Sequence, residues 1–281
     1  MVKIFTNSVS DLTPQYAQEL GVTMIPDIIA FSAEEQYRNN EEIDPPALYR
    51  RLAVCQKLPT TSHPNLEQYM QAFRSESDAD EILCISLTSK MSGSYGTACS
   101  ARQLLQEQGF TVPIRVYDSL QVSYGLAFLV RQAARMAQRG DTADQIMEQL
   151  DLLRPKVGVY FVMESLENAR RGGRVGAIRV LAADLLKVKP ILTFRDGLVY
   201  DQGVVRGYSK AVDRVLERYR QKAQFGGEVF LFHADRQELA EEVEKRLLEM
   251  DPQAKIQIGW VGAVIGIYTG PGCLGLAFQE R

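Results

Sequence analysis

The stretch Glu81-Ile-Leu-Cys-Ile-Ser-Leu-Thr-Ser-Lys-Met-Ser-Gly-Ser-Tyr-Gly-Thr-Ala98 decides how the rest of the chain is read. Residues 82–85 form an unbroken apolar run, the pattern of a strand covered on both faces, and a helix is expected to follow as far as residue 108 and to stop at Gly109. Between strand and helix stand Ser86, Thr88, Ser89, Ser92 and Ser94, with Gly93 among them. The first N–H groups of a helix lack partners and its dipole is positive there, while a glycine lets a ligand approach the backbone. The loop therefore has the makings of an anion cradle. One cation, Lys90, lies in it, and neither Gly-x-x-x-x-Gly-Lys-[Ser/Thr] nor Gly-x-Gly-x-x-Gly is present. A carboxylate or a monophosphate fits better than a nucleoside triphosphate. The competing reading gives these hydroxyls no ligand: they would cap a helix and solvate a turn.

Working outward, the same strand-loop-helix order recurs. Residues 2–6 read as a strand, followed by a polar loop, Thr13 as a cap, a helix opened by Pro14, and Gly21 as its end. Residues 22–31 are apolar but broken by Pro26, which suits an edge or irregular strand. An acidic surface segment (34–44) and a helix from Pro45 lead to Thr60, Thr61 and Ser62, a second set of hydroxyls ahead of a helix start where Asn65 and Gln68 resemble a capping box. After residue 109 comes a strand at 114–118, a loop holding Ser119 and Ser123, and an apolar-faced helix closed by Gly140. Repeated units of this kind imply a parallel sheet with ligands beyond the carboxyl ends of its strands, the edge where all the hydroxyl-rich loops fall.

Arg154-Pro-Lys156 is the best linker, so two α/β domains are expected, 1–154 and 155–281. In the second, a strand at 157–163, a basic turn and a helix at 177–186 precede a hairpin turning at Asp196-Gly197, which calls for antiparallel strands and hence a mixed sheet. The segment 261–278 reads as two apolar strands around Thr269-Gly-Pro-Gly272.

With 281 residues and an apolar share of 46%, the chain can bury one large core or two moderate ones. A net charge of −3 without any basic block argues against a nucleic-acid partner. No signal-peptide core follows Met1 and no stretch is long enough to span a bilayer, so a cytoplasmic location is expected. Cys55, Cys84, Cys99 and Cys273 are scattered, as free thiols in a reducing compartment would be. The only histidines are His63 and His233. Ser92 or Ser94 with His63 and Asp118 would make a serine hydrolase, but no Gly-x-Ser-x-Gly elbow occurs. His233 reads as structural or loop-capping. No close-spaced metal-ligand set is present. A small phosphometabolite binder would suit the sheet and its loops equally well.

Several separated motifs then agree in order with one family: Thr6-Asn-Ser-Val-Ser-Asp-Leu12, Thr61-Ser-His-Pro-Asn65, Ser86-Leu-Thr-Ser-Lys-Met-Ser-Gly-Ser-Tyr95, Asp118-Ser119, Leu166-Glu-Asn-Ala-Arg-Arg-Gly-Gly-Arg-Val175, Leu185-Leu-Lys-Val-Lys-Pro-Ile-Leu192 and Gly266-Ile-Tyr-Thr-Gly-Pro-Gly272. In these the chain resembles the DegV family of bacterial fatty-acid-binding proteins over essentially its whole length. The resemblance implies a long acyl chain in a tunnel between two α/β domains, its carboxylate at the polar mouth, presented to a separate fatty-acid kinase that makes an acyl phosphate. The protein would be a carrier with no cofactor and no catalytic residue. Carried over by position, Thr61, Ser92 and Gly93 would hold the carboxylate. Ser62, Ser94 and Ser119 would lie at the pocket or its mouth, and Arg170, Arg171 and Arg174 would face the kinase or a phosphate. Tyr268 stands where the family usually has His, and His63 where it usually has Gln. A phenol can donate one hydrogen bond to a carboxylate but is neutral, so Tyr268 is expected to replace the imidazole as a donor.

Overall fold

The structure is a computed structural model that describes residues 1–174 and 188–281; the helix expected at 177–186 lies outside the described residues. The first half runs β1 (Val2–Asn7), α1 (Pro14–Leu20), β2 (Val22–Ile25), β3 (Ile28–Ala30), β4 (Gln36–Arg38), α2 (Pro45–Leu52), β5 (Thr60–Ser62), α3 (Leu66–Arg74), β6 (Glu81–Ser86), α4 (Ser94–Glu107), β7 (Ile114–Asp118), α5 (Ser123–Gln138) and α6 (Ala143–Leu153). The second continues with β8 (Val157–Val162), α7 (Glu167–Arg171), β9 (Val188–Arg195), β10 (Leu198–Arg206), α8 (Tyr208–Lys222), β11 (Glu228–His233), α9 (Gln237–Met250), β12 (Lys255–Trp260), α10 (Ala263–Thr269) and β13 (Leu274–Gln279).

Local chemistry starts and stops these elements as the residue types dictate. Thr13 Oγ1 accepts from the Tyr16 amide with Pro14 at the first helical position, and Gly21 ends α1 at φ +68°. Asn65 and Gln68 close a capping box on α3, and Thr142 and Gln145 another on α6. Asp196 and Gly197 both take positive φ at the tip of the β9–β10 hairpin, the requirement of a two-residue turn that matches strand twist.

Strands β2, β1, β6 and β7 form a four-stranded, wholly parallel sheet in that order, and β10, β9, β8, β13, β11 and β12 a six-stranded mixed sheet. In the latter only β11 and β12 run parallel. Central strands β6 and β8 are buried at nearly every position, hence their unbroken apolar runs. Helix α5 is buried on almost all sides because it packs on β1 from one sheet and on β8, β11 and β13 from the other. One hydrophobic cluster accordingly runs from Ile4 and Leu83 through Leu126 and Leu129 to Val159 and Phe230.

Two elements differ from the sequence reading. Thr60, Thr61 and Ser62 are not a free loop but strand β5, paired antiparallel with β3 in a small third sheet of order β4-β3-β5. Pro26 thus divides the 22–31 run into two strands of different sheets, β2 and β3. The segment around Gly266 is helix α10 rather than a strand. Its Val and Ile residues favour strands, but Gly266 lets the helix backbone approach Tyr49, whose hydroxyl donates to the Val261 carbonyl at 3.0 Å, and this packing overrides propensity.

Candidate functional site

The carboxyl edge of the parallel sheet is held together by Asn7. Its Nδ2 donates to Tyr69 Oη at 2.7 Å and Ser94 Oγ at 2.9 Å, while its Oδ1 accepts from the Ser86 hydroxyl and the Leu87 amide at 3.2 Å each. Asp118 Oδ1 accepts from the Ser89 and Leu120 amides, and the Thr88 hydroxyl donates to the Gly197 carbonyl of the β9–β10 hairpin at 3.2 Å. The loop from β6 to α4 is therefore fixed from both halves of the chain before any ligand is considered.

That loop forms one lip of a cavity of about 520 Å³, within the range of small-ligand sites. The lining divides by chemistry. Thr61, Ser62, His63, Ser92, Gly93, Arg174 and Tyr268 supply polar groups, whereas Val9, Leu87, Met91 and Val122 of the first half face Val159, Phe161, Met163, Leu192, Phe194 and Phe232 of the second. Gly93 immediately precedes α4, so Gly93 and Ser92 stand at the positive end of a 14-residue helix. The His63 ring lies on Gly93, where an added Cβ would come within 3.0 Å of Cε1, and His63 Nε2 is 3.0 Å from Thr97 Oγ1.

Tyr268 is in the last turn of α10. Its ring lies against Gly172, its hydroxyl shares a hydrogen bond with Thr61 Oγ1, and the Arg174 guanidinium stands 5.3 Å from the ring centroid. Thr61 and Tyr268 thus meet from elements about two hundred positions apart in sequence. Ser92 Oγ already accepts from the Ser94 amide at 3.2 Å, capping α4; such a cluster of hydroxyls, a helix N-terminus and a cation can hold a small anion, and the apolar walls behind it can hold a hydrocarbon.

The remaining sequence-derived residues lie elsewhere. Ser94 is buried, its hydroxyl engaged with Tyr69 Oη at 2.6 Å and Asn7, and does not line the cavity. Ser119 is buried too, donating to the Gln121 carbonyl. Both follow the turn-solvating reading of the hydroxyls. Arg170 and Arg171 are exposed on α7 outside the cavity, Arg170 paired with Glu167 at 2.7 Å. A Ser92–His63–Asp118 relay is not formed among the described residues, since Asp118 is occupied by backbone amides and His63 faces Thr97. His233 caps as expected: Nδ1 accepts from the Arg236 amide, which makes Nε2 the protonated nitrogen that donates to Gln237 Oε1 at 2.8 Å, and burial pushes its pKa down. Among the described residues no three His, Cys, Asp or Glu side chains are placed to hold a metal, and no helix is long and apolar enough to cross a membrane.

Two acids were missed as part of the site. Asp27 lines the cavity, and Asp11 stands behind the cavity-lining Ser123, whose hydroxyl donates to Asp11 Oδ2. Burial pushes each carboxyl up to about 7, against hydroxyl donors (Ser123 for Asp11, Ser8 for Asp27) that pull it down. The available signal was a charge directly after Pro26 inside an apolar run.

The fold and site together define a class: an α/β protein of two larger sheets with an apolar cavity between them headed by hydroxyls and a helix N-terminus. A family model described as "Uncharacterised protein, DegV family" matches residues 1–281, and the chain belongs to the DegV family. It is 31% identical over 281 residues to a DegV domain-containing protein of Halalkalibacterium halodurans, covering 99% of this chain and 98% of the relative. Among solved structures it is similar to DegV of Bacillus subtilis, described as a fatty acid binding protein, with 27% identity, a TM-score of 0.89 and coverage of 100% and 99% of the two chains. A stearic acid-binding protein from Eubacterium ventriosum matches at 28% identity with a TM-score of 0.89, over 100% of this chain and 98% of that one.

Proposed function

We propose that this chain binds one long-chain fatty acid with its carboxylate at the Thr61, Ser92, Gly93 and Tyr268 mouth, and presents it in the cytoplasm to a separate fatty-acid kinase that makes the acyl phosphate. The protein is then a carrier and not a catalyst, with residues 1–154 and 155–281 as the two units between which the tail lies. The observation that carries this reading is the division of one cavity into a polar head and apolar walls drawn from both halves. Arg174, exposed at that mouth, with the exposed Arg170 and Arg171 of α7, would suit a partner that brings a phosphate.

The energetics assign different tasks to head and tail. At about 0.8 kcal/mol per buried CH₂, a chain of roughly fifteen methylenes offers about 12 kcal/mol gross before immobilisation costs. Each hydrogen bond to an ionised carboxylate adds about 1.5–3 kcal/mol net, so the polar mouth mainly sets which end enters and where the carboxylate rests. Ser92→Ala is therefore expected to impair kinase-dependent phosphorylation more than lipid binding. A tenfold loss of binding with unchanged phosphorylation at saturation would refute that division.

The reading is tested by titrating lipid-stripped protein with palmitic acid in a calorimeter and, separately, exposing it to a fluorophosphonate probe. Saturable 1:1 binding without labelling supports the carrier. Labelling at Ser92 supports a serine hydrolase, and binding of a small phosphate ester in place of palmitic acid supports a phosphometabolite site.

A further inference from the structure

The apolar cavity has a neighbour of opposite chemistry. A second cavity of about 340 Å³ lies between the same two halves, and Asp151 and Arg154 of the first half and Arg195 and Glu280 of the second bring charge to it. Among the described residues Phe194 of β9, itself buried, alone lines both cavities. The wall around it is continuous. Val159 lines the apolar cavity and Gly158 the charged one, and Val122 and Gln121 divide in the same way. The Gln121 side chain and Val159 Cγ2 also meet in front of Gly125 of α5, where an added Cβ would collide with Gln121 Oε1 and come within 3.0 Å of Val159 Cγ2.

The strand register fixes where along the apolar cavity this wall stands. Met163 follows the carboxyl end of β8 and leads to α7, beyond which Gly172 lies against Tyr268. Going back along β8, Phe161 pairs with Leu192, and Val159 pairs with Phe194, which in turn pairs with Val199. At about 3.3 Å per residue, the Val159–Phe194 row is about 13 Å from Met163. Phe194 therefore stands at the end of the apolar walls away from Tyr268, where the tail of a ligand with its carboxylate at the polar mouth arrives.

We propose that Phe194 is the residue that sets the longest acyl chain this cavity takes, its ring closing the apolar end and keeping the tail out of the charged cavity behind. This rests on the carrier reading above and deepens it by naming what limits the ligand. Each methylene laid against Phe161, Leu192 or Val159 leaves water for an apolar wall and adds affinity. A methylene pushed past Phe194 would instead strip water from Arg154, Asp151 and Glu280, a cost that cancels the gain. Affinity must then climb with chain length and turn at one length.

The test is displacement binding on the full chain, stripped of lipid, with lauric, myristic, palmitic, stearic, arachidic and behenic acids. In the unmodified protein affinity should rise about tenfold for each two carbons added and then turn down within the series. In Phe194→Ala the turning point should move to an acid longer by about two carbons or more, and Phe194→Leu, a milder truncation that spares the fold, should move it in the same direction. Met163→Ala, which empties space in the same cavity at the end beside α7, should leave the turning point in place. Affinity that climbs all the way to behenic acid would overturn the inference with the carrier reading intact, and this arm needs no variant to fold. A turning point unmoved by both Phe194 substitutions, or moved equally by Met163→Ala, would do the same. Binding of none of the acids would overturn both.

Discussion

At the scale of single residues, Tyr268 closes the polar end of the cavity: its hydroxyl bonds Thr61, its ring covers Gly172, and the Arg174 guanidinium stands 5.3 Å from the ring centroid. Tyr268→Phe keeps the packing and removes the hydroxyl. Fatty-acid affinity should fall about tenfold, the worth of one hydrogen bond to a carboxylate, in a displacement assay; unchanged retention would mean that Tyr268 only closes the mouth. The buried acids make stability depend on pH with a definite sign. Burial pushes Asp11 and Asp27 up to about 7 in the folded chain against 3.8 for a free aspartate carboxyl, so the folded state keeps protons that the unfolded state gives up. Their contribution is complete below about pH 4 and is lost as pH rises through about 7. His233, depressed by burial, acts oppositely: its contribution is present above about 6.5 and is lost as pH falls. Ligand-free protein should therefore lose stability as pH rises from about 4 to about 7 and change little above about 8, with Asp27→Asn removing part of that loss. A profile without this fall between about pH 4 and 7 would mean that the two carboxyls are already ionised in the fold. The family resemblance pointed to Thr61, Ser92, Gly93 and Tyr268, all of which line the cavity, but Ser94 and Ser119, expected at the pocket or its mouth, look the same as Ser92 in sequence. Only the inward turn of those side chains, toward Asn7 and Gln121, separates a scaffold hydroxyl from a lining one.

At the scale of elements, the strand-loop-helix units of the first half were legible because capping residues, glycine stops and apolar runs all agreed. The β9–β10 hairpin was legible from Asp196-Gly197 alone. The failures were places where long-range packing decides. Strand β5 exists because β3 offers an edge to it, and nothing within Thr60-Thr61-Ser62 announces that edge. Helix α10 is composed of strand-favouring residues and is helical because Gly266 admits Tyr49 and Leu48 against its backbone. Gly266→Ala would place a Cβ 2.5 Å from Tyr49 Oη and 2.9 Å from its Cζ, in an aromatic anchor that cannot easily retreat. Denaturant unfolding should show a loss of about 1–3 kcal/mol, and because Tyr268 rides on the same helix, fatty-acid affinity should fall with it. Full stability in this variant would show that α10 is free to shift.

At the scale of the whole molecule, α5 and the continuous apolar cluster tie the parallel sheet to the mixed sheet, and the cavity opens where the two meet. That meeting was not legible in any stretch, because the walls come from Val9 and Leu87 on one side and Phe161 and Phe232 on the other, which no local pattern relates. A ligand that bridges both walls binds only the folded chain. At a hundredfold excess over its dissociation constant it should add about 2.7 kcal/mol and raise the melting temperature by about 5 °C, read by differential scanning calorimetry; palmitate that leaves the transition unmoved would place its binding outside the cavity. The most direct measurement is simpler: protein purified without added lipid is extracted with organic solvent and the extract weighed against protein by lipid mass spectrometry. Near-stoichiometric long-chain fatty acid is the expected result, and an extract free of fatty acid from protein that also fails to take up added palmitate would contradict it.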